Sequence, residues 1–529
     1  MKKKTLVFST LILAMSLCCQ SQSTATTIAN GSSPIIKGDF KDFGIQNPDT
    51  LLTLDCNEFF TDPKTSLFYA DFRKSFDMAF DAQVNTNLTE QVFVCKEGTR
   101  YNPSAGIMVG FDPSTERIFA EITDSDGELH RIFAGEKIQP GQWLKVKVNG
   151  VADDNLANSR LTLSVSADEG KNWDEISLDY SGPVLPSMAS RWVIGRGYPG
   201  GYPNSLQVRK GAIRDLSISG TGRERQAGEN PIFTDRLTAD PACTVIGDRL
   251  YAFVGEDCAA PGGWFTMPHW VAYSTKDMKN WECHGVVLKA ADFPYASPNG
   301  AWAGQVIERN GKFYYYVTLD DMRNGRHAID VAIADNPLGP YVPARLDRDP
   351  LITDDMTPDS HRWNADIDPT VLIDDDGQAW IVWGNGDFYL ARLKENMIEL
   401  DGEVMHMGVR NVSEGPWLFK RNGIYYNVYA ADAPGVQPEQ LAYSMAENIT
   451  GPWKYGGLLT GPAKFGFTIH PSVNEFNGKW YLFYHDGSYM HDGQPGGDCR
   501  RQVCVEPLHF DSEGKILPIT LTESGVSKE

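Results

Sequence analysis

Short segments of alternating hydrophobic and polar side chains recur between residues 55 and 225. Alternation with a period of two is typical of a half-buried strand, and each segment ends near Gly, Pro or Asp residues that favour turns. The pattern predicts strands at residues 75–84, 106–111, 117–122, 143–148, 161–166, 192–195 and 213–218. Short, regularly spaced strands of this kind predict a β-sandwich.

A different pattern begins near residue 228 and continues to residue 529. An apolar strand, a tight turn and an aromatic-rich second strand recur five times, and the repeats begin at Asp240, Trp302, Asp368, Glu414 and His470. The turns are Asn-Gly, Asp-Gly or Gly-Asp, which are hairpin signals. Further strand patterns follow each hairpin, and residues 503–508 supply the last of them. Repeated four-stranded units predict a β-propeller, here with five blades.

The predicted fold is therefore all-β: an N-terminal jelly-roll β-sandwich over residues 55–225, followed by a five-bladed β-propeller over residues 228–529. Residues 20–54 have few periodic apolar positions and are predicted to be a linker. Because the innermost strand of each blade lines the central channel of a propeller, aligned repeat positions lie at one depth around that channel. The residues that begin the five repeats are thus expected to form a ring.

Charge and the N-terminus narrow the class of protein. The net charge is −21, and an acidic surface repels nucleic acids and anionic membranes. Three lysines follow Met1, and an apolar run then leads to Cys18, Cys19 and a polar tract. This pattern predicts a bacterial secretory signal over residues 1–19, and it looks like a lipoprotein signal, although Leu17 departs from the small residue usual before the lipidated Cys. We expect export to the periplasm, outer membrane or cell surface, with membrane contact only through this anchor.

The remaining cysteines do not predict a disulfide framework, because seven is an odd and sparse number for 529 residues. A single bridge, such as Cys499 with Cys504, is compatible with an oxidising compartment. A zinc site built on thiolates is not expected, since the chain has no CxxC pair.

Three of the five predicted ring positions carry carboxylates. Like charges that share a site raise one another's pKa values, so one group can hold a proton near neutral pH. Glycoside hydrolysis with inversion needs one ionised and one protonated carboxyl group. The ionised group is the general base that deprotonates water, and the protonated group is the general acid that protonates the leaving oxygen. The two carboxyl groups are about 6.5–9.5 Å apart. Blades that face each other across a channel can provide that separation.

The sequences Ala-Asp240-Pro, Ile-Asp368-Pro-Thr-Val and Ser-Glu414-Gly-Pro resemble the motifs of glycoside hydrolase family 43, the five-bladed enzymes that act on arabinose- and xylose-containing glycans. The resemblance includes residues 271–281, 301–305 and 500–506, in the order expected for the family. It implies that Asp240 is the general base, that Glu414 is the general acid, and that Asp368 orients the acid and tunes its pKa. Any one Asp-Pro is more simply a strand-start turn, but all three agree with the repeat.

The resemblance also suggests substrate-binding residues. Arg501 matches an arginine that contacts sugar hydroxyls in many family members, and an ordinary ion pair is the alternative. Trp302 is expected to stack on a sugar or to pack the channel. Phe265, Trp270 and Trp363 lie on predicted loops, where they either wall the pocket or are structural aromatics.

His470 resembles a channel histidine that lies beside a calcium ion or a water cluster in several family members. A plain hydrogen-bonded histidine fits the sequence equally well. No cofactor is required for the chemistry, and a structural calcium near His470 is left open. The acidic run at residues 374–376 is expected to be a solvated hairpin tip, and a single Asp-box-like hairpin at residues 166–173 does not indicate a sialidase, which repeats it along the blades.

The sandwich segments 141–148 and 211–219 resemble laminin-G and concanavalin-like domains, for which structural support and sugar binding both stay open. For the whole chain, the resemblance implies removal of terminal L-arabinofuranose from the side chains of plant cell-wall polysaccharides by an inverting, exo-acting enzyme. β-D-Xylosidase, galactofuranosidase and endo-arabinanase activities are alternatives. A non-catalytic, glycan-binding lipoprotein is the alternative of another class, and clustered carboxylates argue against it.

Overall fold

The computed structural model describes residues 36–39, 52–54, 60–61, 72–84, 91–96, 106–124, 128–154, 156–185, 192–195, 211–222, 225–260, 262–357, 362–433, 436–464, 466–491 and 494–529. The predicted signal segment, with Cys18 and Cys19, lies outside these residues. No helix in the described part of the chain is both long and apolar enough to cross a membrane.

The described residues of the N-terminal part form two antiparallel sheets from thirteen strands. The strands are β1 (Ile36–Asp39), β2 (Leu52–Leu54), β3 (Phe60–Thr61), β4 (Ser75–Gln83), β5 (Gln91–Lys96), β6 (Ile107–Asp112), β7 (Arg117–Thr123), β8 (Leu129–Ala134), β9 (Trp143–Ala152), β10 (Asn158–Ser166), β11 (Asp174–Ser181), β12 (Trp192–Ile194) and β13 (Gly211–Thr221). One sheet has the order β1-β13-β4-β9-β10-β11, with β2 also paired to β13, and the other has the order β3-β12-β5-β6-β7-β8.

The two sheets enclose one apolar core. Phe76 of β4 stacks on Trp192 of β12, with ring centroids 5.7 Å apart. The side chains of β9 alternate between buried and more exposed positions, as a strand with one face in a core requires. This arrangement is the predicted β-sandwich.

The prediction of a linker over residues 20–54 is wrong in part. Strands β1 and β2 lie inside this segment, and both pair with β13. Because they add to the edge of an existing sheet, backbone hydrogen bonds are enough to hold them and no long alternating pattern is needed. Periodicity alone therefore missed them.

In the rest of the chain, the described residues contain twenty-one further strands, and most of these form five successive sheets. The strands are β14 (Thr238–Ile246), β15 (Arg249–Glu256), β16 (His269–Thr275), β17 (Trp281–Lys289), β18 (Ala296–Arg309), β19 (Lys312–Asp321), β20 (Arg326–Ala334), β21 (Val342–Pro343), β22 (Thr370–Ile373), β23 (Ala379–Trp383), β24 (Tyr389–Leu393), β25 (Leu400–His406), β26 (Glu414–Arg421), β27 (Ile424–Ala433), β28 (Val436–Ala446), β29 (Lys454–Pro462), β30 (Ser472–Phe476), β31 (Lys479–Asp486), β32 (Met490–His491), β33 (Gln494–Pro495) and β34 (Gln502–Leu508). Two short 3-10 helices, Ala290–Asp292 and Asp354–Met356, lie in the connections.

The first strands of the five sheets close a ring. Strand β14 contacts β18, β18 contacts β22, β22 contacts β26, β26 contacts β30, and β30 contacts β14. The ring defines a five-bladed β-propeller, so the all-β prediction is confirmed. The hairpin turns at Asn310-Gly311, Asn422-Gly423 and Asn477-Gly478 have positive φ at both residues, as the predicted two-residue turns require.

The fifth blade differs from the prediction. Its sheet has three strands in the described residues, in the order β30-β31-β34, so β34 is a third strand and not a fourth. The chain that enters the propeller covers its outer edge: the Ile232 amide donates to the Val503 carbonyl at 2.8 Å, and the Val505 amide donates to Asn230 Oδ1 at 2.8 Å. The two ends of the propeller are thus joined at this blade.

Candidate active site

Local backbone geometry aims the ring residues into the channel. The pairing of β14 with β15 is irregular between Ala239 and Ala242, and that of β26 with β27 is irregular between Glu414 and Trp417. Asp240 and Asp368 have φ values of 51° and 61°. A positive φ costs a residue with a Cβ about 1–3 kcal/mol, and such strain clusters at functional sites. The irregular backbone at these positions also interrupts the alternation of side chains along the strand and so changes the direction of the side chain.

The structure brings four of the five predicted ring residues together: Asp240, Asp368, Glu414 and His470. His470 Nδ1 lies 4.0 Å from Asp240 Oδ1 and 3.9 Å from Asp368 Oδ2. The amide of Gly415, the residue after Glu414, donates to Asp368 Oδ2 at 3.0 Å. Four blades therefore contribute to one cluster at the start of their innermost strands.

Asp240 is held as a carboxylate. Burial would raise its pKa, but Arg501 Nη1, 3.3 Å from Oδ1, and His485 Nδ1, 3.2 Å from the same oxygen, outweigh burial and hold the pKa of Asp240 well below its usual range. Burial lowers the pKa of His485, and its Nδ1 accepts a hydrogen bond from the Asp240 amide at 3.2 Å. Asp240 is thus ionised and able to accept a proton.

Asp368 is shifted in the opposite direction. Its side chain is buried, and burial, the charge of Glu414 and the charge of Asp240 raise its pKa well above the usual value. The hydrogen bond from Gly415 opposes this shift only in part. The cluster therefore separates a base that has lost its proton from a carboxyl group that retains one, as acid–base catalysis needs.

Glu414 is oriented by a residue that the sequence analysis missed. Asn385 Nδ2 donates to Glu414 Oε2 at 2.9 Å, and Arg362 Nη1 donates to Asn385 Oδ1 at 2.6 Å, which fixes the orientation of the amide. The Gly386 amide also donates to the Ser413 carbonyl at 2.7 Å, next to Glu414. A polar residue between two glycines, directly after β23, is the only sequence signal for this contact.

Arg501 is fixed by Asp257, a second residue that was missed. Arg501 Nε and Nη2 each donate to an Asp257 oxygen at 2.9 Å, and the Asp257 side chain has no exposed surface. The remaining nitrogen, Nη1, faces Asp240 at 3.3 Å and Thr468 Oγ1 at 3.5 Å. The geometry shows Arg501 acting on Asp240, and its expected contact with sugar hydroxyls stays a prediction.

Two of the predicted aromatic residues stand at the site. The ring of Phe265 is 5.6 Å from that of Trp302 and 4.8 Å from the Arg501 guanidinium carbon. Trp302 is half-buried, and its indole N–H donates to Asp320 Oδ1 at 2.7 Å. Phe265 thus lies against the arginine that contacts Asp240, and Trp302 packs on Phe265.

The expectation that Trp270 walls the pocket is wrong. Trp270 lies within β16 rather than on a loop, and it is 1% exposed. Its indole N–H donates to the Trp302 carbonyl at 2.6 Å. Trp270 therefore supports the backbone of Trp302 from within the core and cannot touch a ligand.

A structural calcium near His470 stays a prediction. Burial lowers the pKa of His470 to about 4, and its Nδ1 faces carboxylate oxygens of Asp240 and Asp368. Calcium takes six to eight oxygen ligands, and an imidazole nitrogen is not among its usual ones. Among the described residues, only Asp124, Glu128 and His130 of the sandwich bring three metal-ligating atoms within 4.8 Å of one another.

The cluster can perform one kind of chemistry well. An ionised carboxylate can deprotonate water, a protonated carboxyl group can protonate a leaving oxygen, and aromatic rings can hold the apolar face of a neutral substrate. These are the capacities that hydrolysis of a glycosidic bond requires.

Comparison with known proteins gives the particular family. The model for "Glycosyl hydrolases family 43" matches residues 229–516, and the chain belongs to this family. It is 30% identical to a xylosidase/arabinosidase of Bacteroides ovatus over 53% of this chain and 94% of that protein. It is 26% identical to an extracellular exo-α-(1→5)-L-arabinofuranosidase of Cellvibrio japonicus, over 52% of this chain and 84% of that protein.

A solved structure is also similar. A family 43 β-xylosidase/α-arabinofuranosidase from a compost metagenome is 26% identical, covers 56% of this chain and 98% of its own, and superimposes with a TM-score of 0.49.

Proposed function

We propose that this protein removes terminal L-arabinofuranose from the side chains of plant cell-wall polysaccharides with inversion of the anomeric carbon. The observation that carries the proposal is the opposite shift of the pKa values of Asp240 and Asp368 within one cluster. An enzyme of xylosidase or arabinofuranosidase type needs both protonation states at once.

In the proposed reaction, Asp240 and Glu414 each carry out one proton transfer. Asp240 accepts a proton from a water molecule, and that water forms a bond to the anomeric carbon. The glycosidic bond breaks as Glu414 gives its proton to the leaving oxygen. Asn385 Nδ2 donates to Glu414 Oε2, and the mutual repulsion of the buried Asp368 and Glu414 carboxylates keeps one proton on this pair, which Glu414 passes to the leaving oxygen. Exchange with solvent then returns both carboxyl groups to their starting states.

The choice of sugar rests on relatives. The Bacteroides ovatus and Cellvibrio japonicus proteins both have arabinose in their names, which favours L-arabinofuranose. β-D-Xylosidase activity is the second candidate, because the first of them is also a xylosidase. Galactofuranosidase and endo-arabinanase activities are further outcomes of the same test.

A panel of aryl glycosides with arabinan, arabinoxylan and arabinogalactan tests the proposal. We expect the highest kcat/KM on an α-L-arabinofuranoside. Glu414→Gln should abolish turnover of substrates with poor leaving groups, since no proton reaches the leaving oxygen, whereas Glu475→Gln, at an exposed position of β30, serves as the control. A wild-type protein that binds polysaccharide but cleaves no furanoside or xyloside is a glycan-binding module instead.

We also propose that the protein is exported and lipid-anchored through Cys18 or Cys19, on the signal pattern at the N-terminus. Its partner is then an oligosaccharide or polysaccharide outside the cytoplasm. Replacement of both cysteines by alanine should move the protein from the detergent phase to the aqueous phase of a detergent partition. Calcium is tested separately: a loss of activity on chelation that calcium restores would establish a structural ion.

A further inference from the structure

A run of aromatic rings leads outward from the active site. Trp264 contacts Phe265 at 5.2 Å between ring centroids, and Phe265 contacts Trp302 at 5.6 Å. Trp302 contacts His327 at 5.6 Å, and His327 contacts Trp363 at 4.8 Å. The five rings form one continuous line, which we call the aromatic rim.

The exposure of the rings rises from the centre of the rim to its ends. His327 is buried and Trp302 is half-buried, whereas Trp264 is 73% exposed and Trp363 is 60% exposed. Trp264 and Trp363 are the two most exposed aromatic side chains in the described residues, and exposed apolar surface beside a cleft marks a binding site. The two tryptophans gain no core packing that would explain them.

The centre of the rim is held rigidly. The Trp302 indole N–H donates to Asp320 Oδ1, and the His327 amide donates to the Trp363 carbonyl at 3.3 Å. His327 Nε2 lies 2.8 Å from Asp320 Oδ1, without the angle of a hydrogen bond. The rings are thus oriented before a ligand binds, which lowers the entropic cost of binding.

The rim is continuous with the catalytic cluster. Phe265 lies over the Arg501 guanidinium, and Arg501 contacts Asp240. A continuous series of ring contacts thus connects both exposed tryptophans, through Phe265, to the arginine that contacts Asp240. The chain carries a net charge of −21, so a neutral occupant suits this surface better than an anionic one.

We propose that Trp264 and Trp363 bind the main chain of a neutral polysaccharide whose side-chain sugar enters the channel. The inference rests on the proposed function and adds to it the two residues that hold the main chain of the polymer while its side-chain sugar is cleaved. Sugar rings present apolar C–H faces that stack on aromatic side chains, and an exposed indole offers a large surface for this contact.

The test compares one small and one polymeric substrate. Trp264→Ala, Trp363→Ala and the double variant are assayed on an aryl α-L-arabinofuranoside and on arabinoxylan and arabinan. We expect the ratio of kcat/KM on polymer to kcat/KM on aryl glycoside to fall about three- to tenfold for each single variant, and further for the double variant. Tyr455→Ala, an exposed aromatic residue on β29 that is 41% exposed, is the matched control and should leave the ratio unchanged.

Three results would overturn the inference. One is an unchanged ratio in the double variant, and another is an equal loss on both kinds of substrate. The third is a self-associated wild type that the Trp264→Ala change makes monomeric in sedimentation, since the rim would then bind a second copy of this chain.

The role inferred for the aromatic rim and the proposed function can be refuted separately. If the wild-type protein cleaves no aryl glycoside, the proposed function fails. The rim is still tested by migration of Glu414→Gln, with and without both tryptophan changes, in gels that contain arabinoxylan. Retardation that the tryptophan changes abolish supports the rim, and retardation that they leave intact refutes it.

Discussion

Removal of the positive charge beside Asp240 should raise the pKa of this catalytic base into the pH range in which activity is measured. In wild type, Arg501 holds the pKa of Asp240 well below its usual range against the opposing effect of burial. Arg501→Met keeps most of the side-chain volume but removes the charge. We expect the pKa of Asp240 to rise, so that the base becomes protonated, and activity is lost, as pH falls through a range in which wild type still works.

The size of the shift follows from the contact distance. Two unit charges 3.3 Å apart, as in Arg501 and Asp240, interact by about 5 kcal/mol at an effective dielectric constant of 20. Asp257 binds the same guanidinium at 2.9 Å and offsets part of that attraction. An Asp beside an Arg is usually shifted by about 1–3 pKa units, and we expect the acid limb of kcat/KM to move up by about 2 units.

The assay is the pH dependence of kcat/KM on an aryl glycoside from pH 3 to 9. Because Asp257 would be left buried without its partner, Arg501→Met alone should cost about 3–5 kcal/mol of stability. The double variant Arg501→Met/Asp257→Asn removes the unpaired charge and keeps the test interpretable. Arg501→Lys retains the charge and should shift the acid limb less. An acid limb that stays at its wild-type position in the folded double variant would refute the assigned role of Arg501.

Three further changes test other contacts of the site. Asp368→Asn removes a carboxylate whose charge repels that of Glu414, so the pKa of Glu414 should fall. The basic limb of the pH profile should then move to lower pH, and kcat should decrease. A basic limb that stays in place would contradict this coupling. Asn385→Ala frees Glu414 Oε2 and should lower kcat about tenfold with little change in KM, whereas an effect on KM alone would assign Asn385 to ground-state binding. Gly415→Ala places a Cβ 2.9 Å from His470 Nδ1 at a φ of 63°, and a thermal melt should show a loss of about 1–3 kcal/mol; wild-type stability would show that the ring tolerates movement.

The ring of channel residues could be predicted because each member stands seven or eight residues before a hairpin turn. These turns set the register of the innermost strands, and the register brings Asp240, Asp368 and His470 into one cluster. At these positions, the distance to a turn along the sequence therefore predicted which residues meet in the folded protein. The same regularity revealed the five blades.

The partners of the ring could not be predicted, because they lie outside the repeat. Asp257 and Asn385 are on connections whose lengths differ from blade to blade, so alignment on the turns does not reach them. Trp270 illustrates the opposite error. An aromatic residue near the site in sequence proved to be core, because β16 begins at His269 and turns the indole inward.

The strands and segments at the edges of the sheets were also not predicted from the sequence. Strands β1 and β2 gain their stability from β13, and the outer edge of β34 is covered by residues 230–232. Pairing of this kind depends on backbone groups of distant segments, and backbone groups leave no trace in side-chain periodicity. The sequence thus predicted the strands that alternate and missed those that only complete an edge.

The anomeric configuration of the first product tests the central claim most directly. Proton NMR follows the anomeric signals of the released sugar from an aryl α-L-arabinofuranoside, before mutarotation mixes them. If Asp240 activates water while Glu414 protonates the leaving oxygen, the β-anomer of arabinose appears first. Initial formation of the α-anomer would mean a covalent intermediate and would contradict the roles assigned to these two carboxylates.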